Sequence, residues 1–176
     1  MHGSILTCME EMALAEMGQP KWQQALGLSG LPAKTKMFPH KAVEDAVFFK
    51  LLDNVCQVSG LGLEAVAERF GQYWMRFAAK HYFAFFMSYR DARSFLLGMP
   101  SVHKLVTQRM PGATPPRFSF EERADGGLAM GYHSERGLQP LWKGLIRAVG
   151  QHFGERLETR ELDASTMLIH FRGKLA

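Results

Sequence analysis

The chain has 176 residues, 47% of them hydrophobic, enough for one domain with a sizeable core. Its formal charge of +4 comes from Lys and Arg scattered without runs, which argues against a nucleic-acid groove and for an ordinary solvated surface. The two cysteines, Cys8 and Cys56, form no CxxC or paired framework. They read as buried free thiols in a reducing compartment, which excludes a disulfide scaffold and a cysteine-rich zinc site.

The opening Met1-His2-Gly3-Ser4-Ile5 carries no basic leader, and Glu10 and Glu11 interrupt the apolar stretch that follows. Neither a signal peptide nor an anchor is expected, and no uncharged apolar run reaches the roughly 18 residues of a membrane span. A cytoplasmic protein without a membrane segment is therefore expected. Ile5, Leu6, Met9, Met12, Ala13 and Met17 recur at helical spacing over 3–17, and Gly18-Gln19-Pro20 ends that helix. A shorter helix follows around Trp22 to Leu28, then a loop from Gly30 to His40. The next helix, near 43–58, turns Phe48, Leu51, Leu52 and Val55 inward until Gly60-Leu61-Gly62 breaks it. Residues 63–78 form another helix, and 80–88 are an aromatic cluster with helical spacing.

Asp91 is suited to N-cap the following helix. There Leu96, Met99, His103, Val106 and Met110 recur at intervals of 3, 4, 3 and 4, so His103 stands within an apolar stripe. Gly98 and Pro100 interrupt the pattern, and a proline without its amide either kinks the helix or restarts it. Pro111 to Pro116 is a breaker, after which the period changes to two. Arg117 to Glu121 alternates, Asp125-Gly126-Gly127 signals a hairpin, and Leu128 to His133 alternates again. Residues 138–153 return to helix with Leu138, Leu141, Trp142, Leu145, Ile146, Val149 and Phe153 on one side, and strand-like stretches near 155–161 and 166–172 finish the chain. The order predicts an α+β protein, one domain over 1–176, with a helical lobe packed on an antiparallel sheet lobe of β-β-α-β-β order.

The segment Tyr132-His133-Ser134-Glu135-Arg136 carries the most chemistry. If it is extended, Tyr132, Ser134 and Arg136 leave one face together, a phenol, a hydroxyl and a guanidinium in a row. Those donors suit carboxylates. An imidazole aimed into an apolar cavity beside them is what an iron porphyrin requires, as ligand to the metal, with the donors taking the two propionates. The other histidines support no rival cluster. His2 and His40 lie in terminal or loop context, His81 among charges, His133 on the face opposite Tyr132, and His152 and His170 are isolated.

With Met1-x-Gly3, Phe70-Gly71-x-Tyr73-Trp74, the His103 helix, Gly112-Ala113-Thr114-Pro115-Pro116, Tyr132-x-Ser134-x-Arg136 and Gly144-Leu145-Ile146, the chain resembles the heme–nitric oxide/oxygen binding (H-NOX) family over essentially its whole length. That family's domain also opens the soluble guanylate cyclase subunits. The resemblance implies heme b between the two lobes, with 1–62 as the distal helical lobe and 63–176 as the remaining helices and sheet lobe. It implies His103 as proximal iron ligand, Tyr132, Ser134 and Arg136 as the propionate clamp, and Pro116 as the proline that distorts the porphyrin. It also implies a distal pocket of Ile5, Met9, Trp74, Leu141 and Leu145. Relatives that bind oxygen stably carry a tyrosine at the position of Leu141, and the helix over 138–153 has none. Bound dioxygen gains from a hydrogen-bond donor and nitric oxide depends on one far less, so the expected ligands are nitric oxide and carbon monoxide. The zinc site of some relatives is not expected, because no cysteine follows Cys56.

The implied function is a gas sensor, not an enzyme, that signals to a histidine kinase, a diguanylate cyclase or a chemotaxis receptor. The alternatives are a heme-dependent redox enzyme, which needs a polar distal acid–base residue, and a heme-free regulatory module that takes another apolar carboxylate.

Overall fold

The computed structural model describes residues 2–108 and 114–175. Met110 of the apolar stripe and the Pro111 to Ala113 part of the breaker lie outside the described residues. The helices are α1 (Gly3–Leu28), α2 (Asp45–Ser59), α3 (Leu63–His81), the single turn α4 (Phe83–Phe86), α5 (Ala92–Gln108) and α6 (Gln139–His152). The strands are β1 (Arg117–Glu122), β2 (Leu128–His133), β3 (Glu155–Asp163) and β4 (Thr166–Lys174). They pair antiparallel in the order β1-β2-β4-β3, with Phe118 opposite Tyr132 in the first hairpin and Met130 opposite Met167 at the centre. The α+β architecture and the β-β-α-β-β order are as the sequence predicts.

α1 is two helical segments joined at a kink, and the kink falls at the expected break, where Gly18 has non-helical backbone two residues before Pro20. Asp91 caps α5, its carboxylate accepting from the Ser94 amide at 2.7 Å. α5 continues past Pro100 without restarting. The missing proline amide leaves a carbonyl of the preceding turn without its helical donor, a local loosening rather than an end.

Two apolar cores share α3. One joins Leu6, Met9 and Met12 of α1, Phe48, Leu51 and Val55 of α2, Val66 and Phe70 of α3, and Leu141 of α6. The other joins Phe95 and Leu96 of α5, Met130 and Tyr132 of β2, Ile146 and Val149 of α6, and Met167 and Ile169 of β4. Trp74 packs against both and stacks between Phe70 and Phe77. Of the two free cysteines, Cys8 is fully buried and Cys56 only half-buried. Burial pushes the Cys8 thiol up to about 12.

The cores meet where α3 crosses α6 at two glycines. A Cβ on Gly144 would overlap the Ala67 carbonyl, and one on Gly71 would overlap the Gly144 carbonyl. Backbone cannot yield as a side chain can, so Gly144→Ala is expected to destabilise the fold by about 1–3 kcal/mol. For a chain of this size each kcal/mol lowers the melting temperature by roughly 2–4 °C. Thermal denaturation checks this, and an unchanged melting temperature would refute the close crossing.

Candidate functional site

Strand β2 delivers Tyr132 to the sheet core, where its ring stacks on Trp142 with centroids 5.4 Å apart. The strand then ends at His133, three residues short of the Arg136 that a continuous Tyr-x-Ser-x-Arg face needs to reach. Ser134 and Arg136 lie in the turn that follows, so the regular alternation expected of the segment is corrected. The reason is local. The Ser134 hydroxyl oxygen accepts the Arg136 amide at 3.2 Å, which bends the backbone out of the sheet. Gly137, at φ 64°, then completes the reversal into α6.

The three side chains still converge. Ser134 and the Leu138 backbone both hydrogen-bond the Tyr132 phenol, and burial outweighs them to hold the phenol's pKa above its usual value. The phenol therefore stays protonated, a donor, throughout the physiological range. Arg136 reaches across to α2, its Nε donating to Asp45 at 2.6 Å, and to Thr114, whose hydroxyl accepts at 2.7 Å and whose carbonyl accepts a further bond. Three of its five N–H donors are accounted for by these partners. The charge and bonding around Asp45, Arg136 included, hold its carboxyl below the usual range even though burial pushes the other way. Neither Asp45 nor Thr114 was a sequence candidate. An acid in the first turn of a helix reads as a dipole partner, and nothing local marks a contact 91 residues away.

His103 projects from α5 toward β1, its ring 5.4 Å from Phe118. Its Nδ1 is buried without a hydrogen-bond partner among the described residues. Burial lowers the imidazole's pKa, and the nearby Pro116 backbone opposes this only in part, so the ring is neutral at pH 7. A neutral imidazole with a vacant nitrogen is a metal ligand in waiting. Among the described residues, no group of three or more His, Cys, Asp or Glu is placed to hold a metal ion. An iron porphyrin carries its other ligands to such a nitrogen with it.

On the other side, Met9 and Leu141 are buried in the helical core, with Ile5 packed against it. Leu145 follows one turn after Leu141, half-buried. Of the remaining histidines, exposed His133 faces Ser119 at 2.9 Å, away from Tyr132 as expected. His170 is not isolated but pairs with Asp125 at 3.0 Å on the hairpin. No single helix among the described residues is long and apolar enough to cross a membrane.

Fold and site together define an α+β heme-sensor domain. The chain belongs to the Haem-NO-binding family, whose model matches residues 2–161. Heme is its cofactor, and gas sensing is the general business of the family. Soluble guanylate cyclase gcy-35 of Caenorhabditis elegans is 23% identical over 159 residues, or 86% of this chain. The chain spans about 23% of the length of that curated relative. Among solved structures, the H-NOX protein from S. oneidensis in its Fe(II)NO state superposes with a TM-score of 0.88 at 20% identity, covering 98% of this chain and 100% of that one. An oxygen-binding H-NOX domain related to soluble guanylate cyclases, in its oxygen complex, gives 0.82 at 22% identity over 100% and 97%. The unliganded Fe(II) A71G H-NOX mutant from K. algicida gives 0.85 at 20% identity over 98% and 97%.

Proposed function

We propose that this domain is a cytoplasmic nitric oxide sensor that takes up oxygen poorly and relays the event to a signalling protein such as a histidine kinase, a diguanylate cyclase or a chemotaxis receptor. It works as one domain over 1–176, with 1–62 as the distal lobe and the cofactor between the lobes. Bound ferrous heme supplies the iron that takes the diatomic gas. His103 would hold that iron through its neutral imidazole. Tyr132, Ser134 and Arg136 hold the propionates, two hydroxyls and a forked cation against two carboxylates. Pro116, with its fixed backbone beside His103, would be the wedge that distorts the ring. No residue is assigned a catalytic role.

The observation that carries gas selectivity is the apolar distal wall. Leu141 is buried among Met9 and its neighbours with Ile5 packed against them, Leu145 follows one turn along the helix, and α6 contains no tyrosine. Dioxygen needs a donor that these side chains lack, and nitric oxide does not. Trp74, half-buried between two phenylalanines, is the one indole assigned to this side.

The test is optical. Ferrous protein in air is expected to give no lasting oxy spectrum yet to bind nitric oxide and carbon monoxide. Leu141→Tyr adds one donor, worth about 1 kcal/mol, or roughly a fivefold gain in oxygen affinity. A stable oxy spectrum from the unaltered protein would overturn the selectivity and point to Trp74 as the donor.

A further inference from the structure

The buried residues of α5 lie in its first half: Ala92, Phe95 and Leu96 all precede Gly98. The Tyr89 ring lies against Gly98, where its hydroxyl also reaches the Gly98 carbonyl at 3.4 Å. Beyond Pro100 the helix carries His103 and a half-exposed Leu105. The hydrogen bonds of the Thr107 hydroxyl there stay within the helix.

The fastening of the first turn comes largely from the sheet. Glu155, the first residue of β3, is 9% exposed, a rare degree of burial for a carboxylate. One of its oxygens accepts the Ala92 amide, the first donor of α5, at 3.1 Å. The other accepts from Lys174 at the end of β4 at 2.9 Å, and the same ammonium donates to the Phe153 carbonyl at 3.1 Å. Arg93 adds a second tie, with bonds to Glu122 and the Gly126 carbonyl and its guanidinium over the Phe171 ring. A carboxylate at this end of a helix satisfies an orphan amide and meets the positive end of the helix dipole.

We infer that Glu155 is the positioning residue of the His103 helix: it pins the first turn of α5 to β3 and β4 and so sets where His103 stands. The inference rests on the reading of His103 as the iron ligand. Glu155 touches neither cofactor nor gas. It acts through α5, setting where the imidazole stands.

The experiment compares the parent, Glu155→Ala and Glu155→Asp in two measurements. The first is amide exchange in heme-free protein. A hydrogen bond to a charged acceptor slows local opening by about tenfold or more, so amides over 92–99 in Glu155→Ala are expected to exchange at least that much faster, with those of α3 and α6 unchanged. The second is the iron–imidazole vibration of the ferrous loaded protein, which is expected to shift or broaden. Glu155→Asp keeps the charge but shortens the arm by one methylene, so it cannot span both partners. It is expected to show the same local changes, and it decides the matter if Glu155→Ala does not fold. Local exchange and vibration at parent values in the folded variants would overturn the inference, as would acceleration spread evenly over the whole chain. The exchange arm needs no heme. Accelerated α5 exchange without any iron–imidazole band would leave the pin standing and refute the ligand assignment instead.

Discussion

The His103→Gly protein is expected to lose the protein–iron bond while keeping the fold. The imidazole is half-buried and its Nδ1 has no hydrogen-bond partner among the described residues, so the polar contact its removal costs is the one with the Pro116 backbone. The cost to the helix is roughly that of a glycine in a helix interior, about 1 kcal/mol. The cavity left beside Phe118 has the shape of the lost ring, so added imidazole is expected to fill it and restore the parent's ferrous spectrum. Absorption spectra with and without imidazole check this. A His103→Gly protein with the parent's spectrum and the parent's response to nitric oxide would show that the ligand lies elsewhere.

Arg136→Ala is expected to speed heme loss by about one to two orders of magnitude, because a charge-assisted hydrogen bond is worth roughly 1.5–3 kcal/mol and each 1.4 kcal/mol is tenfold in rate. Tyr132→Phe and Ser134→Ala are expected to do less, each removing a neutral donor. Arg136 also binds Asp45 and Thr114, so the substitution loosens α2 as well as the clamp. Asp45→Asn separates the two effects: it weakens the tie to α2 and leaves the guanidinium in place. Transfer of heme to an apomyoglobin-type acceptor gives the rates. Equal loss from Arg136→Ala and parent would remove Arg136 from the clamp. Loss from Asp45→Asn as fast as from Arg136→Ala would assign the effect to the tie.

Much of this was written locally in the chain. The change of period at Arg117, the turn residues at Asp125-Gly126-Gly127 and the return of helical spacing at Leu138 place five consecutive elements to within a residue or two, since side-chain alternation and turn chemistry act over a few residues. Asp91 was legible as a cap for the same reason. The strand order was not, because β4 lies between β2 and β3 through contacts about 40 residues apart that leave no periodic trace. The motif residues were legible as a set but not as a shape. A serine two residues before an arginine can continue a strand or bend it, and only the bond from the Arg136 amide to Ser134 decides. Asp45 and Glu155 stayed hidden because each looks like an ordinary surface acid until the fold brings its partner to it.

The burial of Cys8 has a chemical side beyond packing. Thiols meet electrophiles and oxidants as thiolates. With its pKa at about 12, Cys8 exposes only about one molecule in 10⁵ as thiolate at pH 7, and burial also pushes the Cys56 thiol up. A protein exposed to nitric oxide and its oxidised by-products would otherwise be slowly modified at sulfur. Here burial disfavours the thiolate at both sulfurs, which slows that side reaction.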